Sequence, residues 1–493
     1  MTQVRTRVVD VPFVLRGHVL TDYAVEHRSG DVVFRTPDPH AILADLPLRS
    51  RIGMEDLHTI TLDEIIDFLA ALGDRLRLDR NEHLQEAFAL TVSASNLSES
   101  VLRAVYDDQL ARFFRPGVIR DAVERRLGVA YVEGWVHERD ADGRDLRVRA
   151  FGARTTHVVA GNSPGVSAQT IVRNAVTRSD AIIKTPANDP VTAVAILRTM
   201  VDLDADHPLT KHVSAVHWRG GDEVVERVAY SSPNIDKIVA WGGFAGIKHV
   251  AQYVGPGVEL LSLDPKLSLS ILGPEVLADA TVGAEAARRL AMDVGLMNQE
   301  GCVNSRVAYI DVHECAEADT AVRAFATAVY DAIQALPEGA SSPADRIPGT
   351  LRDEIDAAVL TGEPEVVGGG TRAGGVLISW DGRPVDYTAF LAARYVNLVP
   401  ITDIAAALER VSSIAQTCGV YPASLRESLR DALALAGVQR VVMLGGAAAN
   451  GDNQAIPQDG LEVLRRMCRW IVDEGDPERR AVAPGFEHGS PTG

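Results

Sequence analysis

Cysteine is scarce. Cys302, Cys315, Cys418 and Cys468 are the only four in 493 residues, and no two form a CxxC pair. That spacing supports neither a disulfide scaffold nor a zinc site, so no metal is expected. Long apolar runs are also missing; none approaches the roughly 18 to 20 residues that cross a bilayer. The opening "MTQVRTRVVDVPFVLRGHVL" carries arginines but no long apolar core and no small-residue cleavage site. No signal peptide is expected, and the expected location is cytoplasmic. Blocks of lysine and arginine are absent too, and the formal charge is −18. Nucleic acid and anionic membrane are therefore poor partners. Anionic small molecules stay open, because glycine turns and helix N-termini bind phosphate locally whatever the net charge.

What is present is ordinary soluble-protein chemistry, with 46% apolar and 24% charged residues in a length that suggests two to four domains. Residues 62–128 read as largely helical, with Thr61 as N-cap of "TLDEIIDFLAALGDRLRL". Apolar and polar residues then alternate on both sides of "DADGRD", a hairpin signature. From "THVVAGNSPG" onward, strands alternate with glycine turns and helices, which argues for an α/β fold built on a parallel sheet. A second α/β block follows from about residue 275, and "PEGASSPADRIPGT" reads as a surface loop.

Four places could carry chemistry. "VVAGNSPG" runs a strand into Gly161 and Asn162, at the strand end where α/β sheets bind ligands. "IIKTPANDP" ends an apolar strand on Lys184, followed by Thr185 and Pro186. "VAWGGFAGIKHV" opens a helix through Gly242 and Gly243, which leave room for a pyrophosphate. "GLMNQEGCVNSRVAYI" sets Cys302 on a polar turn at the mouth of a strand. A thiol there could be activated by the turn's backbone N–H groups. Each place has a structural reading as well: a capped connection, a solvated lysine, a tight turn, a half-buried cysteine. Cys315, Cys418 and Cys468 fall in or near helical segments and read as inert.

Taken together, "GNSPG", "KTP", the glycine turn and "NQEGCVNSR" resemble the aldehyde dehydrogenase superfamily in order and spacing. Over roughly residues 60–475, including the ending "AGVQRVVMLGG…PQDGLEVLRRMCRWIVDE", the chain more closely resembles the long-chain acyl-CoA reductases, the LuxC-like fatty acid reductases. That resemblance implies a nucleophilic Cys302 that takes the acyl group of a thioester and a nicotinamide cofactor that reduces it to an aldehyde. It also implies that Asn162 and the Cys302 N–H hold the oxyanion. Lys184, Thr185, Pro186, Gly242 and Gly243 would hold the nucleotide.

The chain departs from the wider superfamily at informative positions. Ser262 in "LSLDPK" replaces the glutamate general base that hydrolytic members carry. A serine does not accept a proton near pH 7, which suits thioester reduction better than oxidation of an aldehyde to an acid. Ala187 replaces the glutamate that meets the ribose hydroxyls in NAD-preferring members, which opens the site to NADPH, with NADH as the alternative. "ARYVNLVPI" lacks the acid of the superfamily's EIFGP motif, and Gln458 stands where the closer family has a histidine.

The expected organisation follows the resemblance. Residues 1–130 form the N-terminal helical part of the cofactor domain, 131–152 an oligomerisation hairpin and 153–274 the nucleotide-binding domain. Residues 275–440 form the catalytic domain, 441–475 a C-terminal segment returning to the core, and 476–493 a disordered tail. The expected acyl donor is acyl-CoA, with a protein-bound acyl thioester from a carrier or acyl-transfer protein as the alternative. A non-catalytic scaffold is the competing reading, and the expected state is a homo-oligomer.

Overall fold

The protein is described here by a computed structural model covering residues 8–474 apart from 31, 345–346, 369–371 and 449–453. The tail expected at 476–493 lies outside the described residues. One sheet is built from Phe13–Leu15 (β1), His18–Leu20 (β2), Arg154–Val158 (β3), Asp180–Lys184 (β4), Val213–Val216 (β5), Lys237–Trp241 (β6) and Glu259–Leu263 (β7). Its order is β7-β6-β3-β4-β5-β1-β2. β3 to β7 pair in parallel, with His157 opposite Ile183 on one side and Val239 on the other. Helices cover both faces, so β4 to β6 are buried and largely apolar, while β3 is buried with the polar residues Arg154, Thr155, Thr156 and His157. The chain lays down β3, β4 and β5 in one direction, then jumps back across β3 to add β6 and β7. The switch point between β3 and β6 is where such sheets leave a crevice at their carboxyl edge.

The second sheet contains Leu267–Leu272 (β8), Ser305–Asp311 (β9), Glu365–Val367 (β10), Gly375–Ile378 (β11), Tyr395–Ile401 (β12), Ala415–Tyr421 (β13) and Arg440–Met443 (β14). The order is β10-β11-β12-β9-β8-β13-β14, and only β10 runs antiparallel to its neighbour. Asp264–Lys266 alone separates the end of β7 from the start of β8. The carboxyl edge of the first sheet therefore leads straight into the amino edge of the second. This corrects the boundary expected at 274/275: the run "LSLSIL" is already a central strand of the second sheet, flanked by β9 and β13.

The N-terminal part is also less helical than expected. Residues before Leu62 contribute β1, β2 and three further strands, Val8–Asp10, Tyr23–Ser29 and Val32–Pro37. The helix from Leu62 does begin at Thr61, through a capping box. The Thr61 hydroxyl accepts from Glu64 N at 3.2 Å, and the Glu64 carboxylate accepts from Thr61 N at 2.7 Å.

The hairpin is formed by Val136–Arg139 and Asp145–Phe151. Its second strand is covered by an antiparallel strand from the C-terminal segment, Arg469–Asp473. Among the described residues the Val136–Arg139 edge has no further strand partner.

Candidate active site

Three of the predicted motifs leave neighbouring strands at one edge. β6 ends at Trp241 before Gly242 and Gly243, β3 leads to Gly161 and Asn162, and β4 ends on Lys184. Asn188 ties two of these loops together by donating to the Gly161 carbonyl at 2.9 Å. A Cβ on Gly161 would lie 1.9 Å from Asn188 Oδ1, so a larger residue would push the Asn188 side chain away.

The crevice has the features a dinucleotide needs. Lys184 Nζ lies 5.5 Å from the centre of the Trp218 ring, and the ammonium makes no hydrogen bond or ion pair among the described residues. Burial holds its ammonium below the ordinary lysine value, against the opposing charge of Glu226. A buried ammonium with no acceptor is costly unless a ligand supplies one. Beside it, a Cβ on Gly242 or Gly243 would meet nothing within 4 Å, which leaves open space before the helix Phe244–Ala251. Thr185 and Pro186 have structural surroundings: the Thr185 hydroxyl lies 3.1 Å from His217 Nδ1. Lys184 and the open Gly242–Gly243 turn are the residues here that could hold a dinucleotide.

Cys302 sits at the amino edge of the second sheet, on the turn before β9, and is half-buried. Its turn is tightly specified. Met297, Asn298 and Gln299 have φ of 52°, 50° and 67°, a left-handed run that L-residues disfavour. Side chains hold it. Asn298 Oδ1 accepts from Ser342 N at 2.9 Å. Gln299 accepts from Tyr395 N at 3.0 Å and donates to the Tyr395 carbonyl at 2.7 Å. Asn304 closes the turn from below. Its Oδ1 accepts from Gly301 N at 2.9 Å, and its Nδ2 donates to the carbonyls of Asp293 and Leu296, each at 3.0 Å. Ser268 of β8 donates to the Cys302 carbonyl at 2.7 Å. The expected surface loop at 337–350 is corrected in part, because Ser341, Ser342 and Ala344 are buried. This segment backs the left-handed run: Ser342 N donates to Asn298 Oδ1, and the Ala340 carbonyl accepts from Met297 N at 2.8 Å.

Asn162 links the two sheets. Its Nδ2 donates to the Glu300 carbonyl at 3.0 Å, two residues before Cys302, and its Oδ1 is buried without a partner. Ser262 stays at the end of β7, bonded to Asp264.

Two residues at the sulfur were not anticipated. Gln416, second residue of β13, donates from Nε2 to Cys302 Sγ at 3.2 Å. The same nitrogen donates to Asp459 Oδ1. Asp459 follows Gln458, whose Oε1 accepts from Arg173 Nη2 at 2.7 Å. Burial pushes the Cys302 thiol above its ordinary value, and the Asp459 charge adds to this. The Gln416 N–H, the residue's own backbone N–H and Arg306 pull the other way. Cys418 and Cys468 are fully buried and their thiols are pushed up by burial, that of Cys468 to about 12, which makes them unreactive. Among the described residues there is no group of three or more His, Cys, Asp or Glu side chains that could hold a metal ion. Nor is any helix among them long and apolar enough to cross a membrane.

A parallel-sheet crevice facing a cysteine turn on a second sheet defines a class. The chain matches the crystal structure of an NADP-dependent glyceraldehyde-3-phosphate dehydrogenase from Bacillus halodurans, complexed with NADP, at a TM-score of 0.70. The match covers 94% of this chain and 98% of that one at 13% identity, and the fold is that of the aldehyde dehydrogenases. Within that class, the chain belongs to the acyl-CoA reductase (LuxC) family, whose family model matches residues 57–470. It is similar to the long-chain acyl-protein thioester reductase of Aliivibrio fischeri, 24% identical over 447 residues, 88% of this chain and 87% of that one. It is likewise similar to that of Photorhabdus luminescens, 25% identical over 481 residues, 94% of this chain and 93% of that one.

Proposed function

We propose that this protein reduces an acyl thioester to an aldehyde through a thioacyl group on Cys302, with NADPH as reductant. The observation that carries the reading is the meeting of the Cys302 turn with the Asn162 amide across the mouth of the nucleotide crevice. In the first half-reaction the Cys302 thiolate attacks the thioester carbonyl. A carbon–sulfur bond forms, the carbonyl electrons move to oxygen, and the donor's thiolate leaves as the carbonyl re-forms. Asn162 and the Cys302 backbone N–H stabilise the oxyanion; one such donor is typically worth about 10²- to 10³-fold in rate. Lys184 and the Gly242–Gly243 turn would hold the nicotinamide dinucleotide, whose chemistry would be to deliver a hydride to the thioacyl carbon. The resulting thiohemiacetal anion collapses, the carbon–sulfur bond breaks with its electron pair on Sγ, and aldehyde is released.

No water enters this sequence, so a serine at 262 costs nothing, and the same residue makes oxidation to a free acid slow. Ala187 removes a carboxylate that would repel a 2′-phosphate, which favours NADPH over NADH. The acyl donor is acyl-CoA or a protein-bound acyl thioester; the likeness to two acyl-protein thioester reductases favours the second. The open edge of Val136–Arg139 is suited to pairing with another copy of the chain, which supports a homo-oligomer.

The test is a panel of acyl-CoA and acyl-protein thioesters assayed with NADPH and with NADH. Thioester-dependent oxidation of NADPH that Cys302→Ala abolishes is expected. Undiminished turnover in that variant would remove the mechanism.

A further inference from the structure

We propose that Gln416 is a catalytic residue, the hydrogen-bond donor to the Cys302 sulfur, and that Asp459 is the positioning residue that keeps its N–H turned that way. The catalytic value of the pair rests on the thioacyl-cysteine reading; its effect on the thiol does not. A glutamine amide has a donating and an accepting end, and the two have nearly the same shape. Here Nε2 faces both Cys302 Sγ and Asp459 Oδ1, while Oε1 is buried without a partner. Turned over, Oε1 would face a carboxylate and a sulfur, both electron-rich. The carboxylate therefore selects the orientation in which an N–H meets the sulfur. Gln416 itself is only 5% exposed, so water cannot replace the donor freely.

This donor serves two moments of the reaction. Sγ carries its negative charge when it attacks the thioester and again when it leaves the thiohemiacetal. An N–H aimed at it stabilises both. Asp459 acts on the sulfur in two opposed ways: by charge it disfavours the thiolate, and by holding Gln416 it favours it. The other charges around the pair are few. Arg306 and Arg440 act on the sulfur, with Glu300 acting on Arg306. Arg173, Lys266 and Asp264 act on Asp459.

Rates of Cys302 alkylation by iodoacetamide, measured against pH on the full-length protein without thioester or dinucleotide, test the assignment. Gln416→Met keeps the length and removes the donor. It is expected to raise the thiol pKa by about one unit, so alkylation near pH 7.5 slows about tenfold while the limiting rate at high pH stays within about twofold. Asp459→Asn keeps an acceptor for Gln416 and removes the charge, so alkylation near pH 7.5 quickens several-fold. Asp459→Ala removes both charge and anchor, so its thiol pKa lies above that of Asp459→Asn. On a Gln416→Met background the two Asp459 variants become equal. Thermal midpoints confirm that each variant is folded, and Gln416→Leu serves if Gln416→Met is not. An unchanged or lower pKa in the Gln416 variant would overturn the donor. Equal values for Asp459→Asn and Asp459→Ala on the native background would overturn the anchor. Loss of thioester reduction with these thiol results intact would instead count against the proposed function.

Discussion

Replacing Asn304 by alanine should damage the site without touching the reacting sulfur. Asn304 is 1% exposed and satisfies one N–H and two carbonyls of the turn at 2.9–3.0 Å. Truncation leaves the Gly301 N–H without an acceptor and two carbonyls without a donor. A buried group left unpaired costs roughly 1–3 kcal/mol, and an N–H has fewer alternatives than a carbonyl. A total of about 3–4 kcal/mol follows, enough for a fall of several degrees in the thermal midpoint. The larger effect is on rate. Gly301 N–H is the link that fixes Cys302 relative to β9, and a displacement of about 1 Å at a reacting atom can cost about 10²-fold. The assay measures kcat, KM for NADPH and the midpoint together. Expected are a lower midpoint, kcat down about 10- to 100-fold, and an unchanged KM for NADPH, because Lys184 and Gly242 belong to the other sheet. A lowered midpoint with native kcat would refute the claim that Asn304 positions the nucleophile.

Other perturbations separate the remaining parts. Gly161→Ala sets a methyl where Asn188 Oδ1 lies at 1.9 Å, so the Asn188 side chain must move and its tie to the Gly161 carbonyl is lost; kcat should fall at least tenfold while iodoacetamide still labels Cys302 at the native rate. Lys184→Met should raise KM for NADPH at least tenfold and leave thiol labelling unchanged. Asp236→Asn leaves Arg154, 4% exposed, without its carboxylate, and a broken buried pair typically costs about 3–5 kcal/mol, read as a lower unfolding midpoint. Burial raises the Asp293 carboxyl to about 6, against the N–H groups of Ala447 and Gly445. A folded pKa above the unfolded one means stability that is full below about 4 and lost as pH rises through 6, roughly 3 kcal/mol in all. The difference in midpoint between the native protein and Asp293→Asn should change over that interval and be flat above it.

The sequence pattern carried the site's first layer because each of its parts is local. A strand running into "GNSPG", "KTP" or "WGG" predicts a turn at a strand's carboxyl end, and the sheet order brings all three to one crevice. Cys302 was legible for the same reason, as a polar turn before an apolar strand. What lay beyond reach depends on distant pairing. Gln416 meets Cys302 from 114 residues along the chain, Asp459 reaches Gln416 from 43 residues further, and a glutamine at the start of a strand looks like any edge residue. In "PQDG" the departure from the family's pattern stands at Gln458, while its neighbour Asp459 makes the contact with Gln416. "LSLSIL" could not be assigned to either sheet from its own residues, since an apolar run has no address until its partners are known. Three of the five strands before residue 62 have only three residues, too few to show a periodicity, while Tyr23–Ser29 and Val32–Pro37 are long enough to show one and were passed over.

The central claim is most directly tested by the mass of the intact protein after mixing with an acyl thioester of CoA or of N-acetylcysteamine, with no dinucleotide present. The account predicts a gain of one acyl group on Cys302, released by neutral hydroxylamine and absent from Cys302→Ala. No gain with any donor, or the same gain in Cys302→Ala, would contradict it.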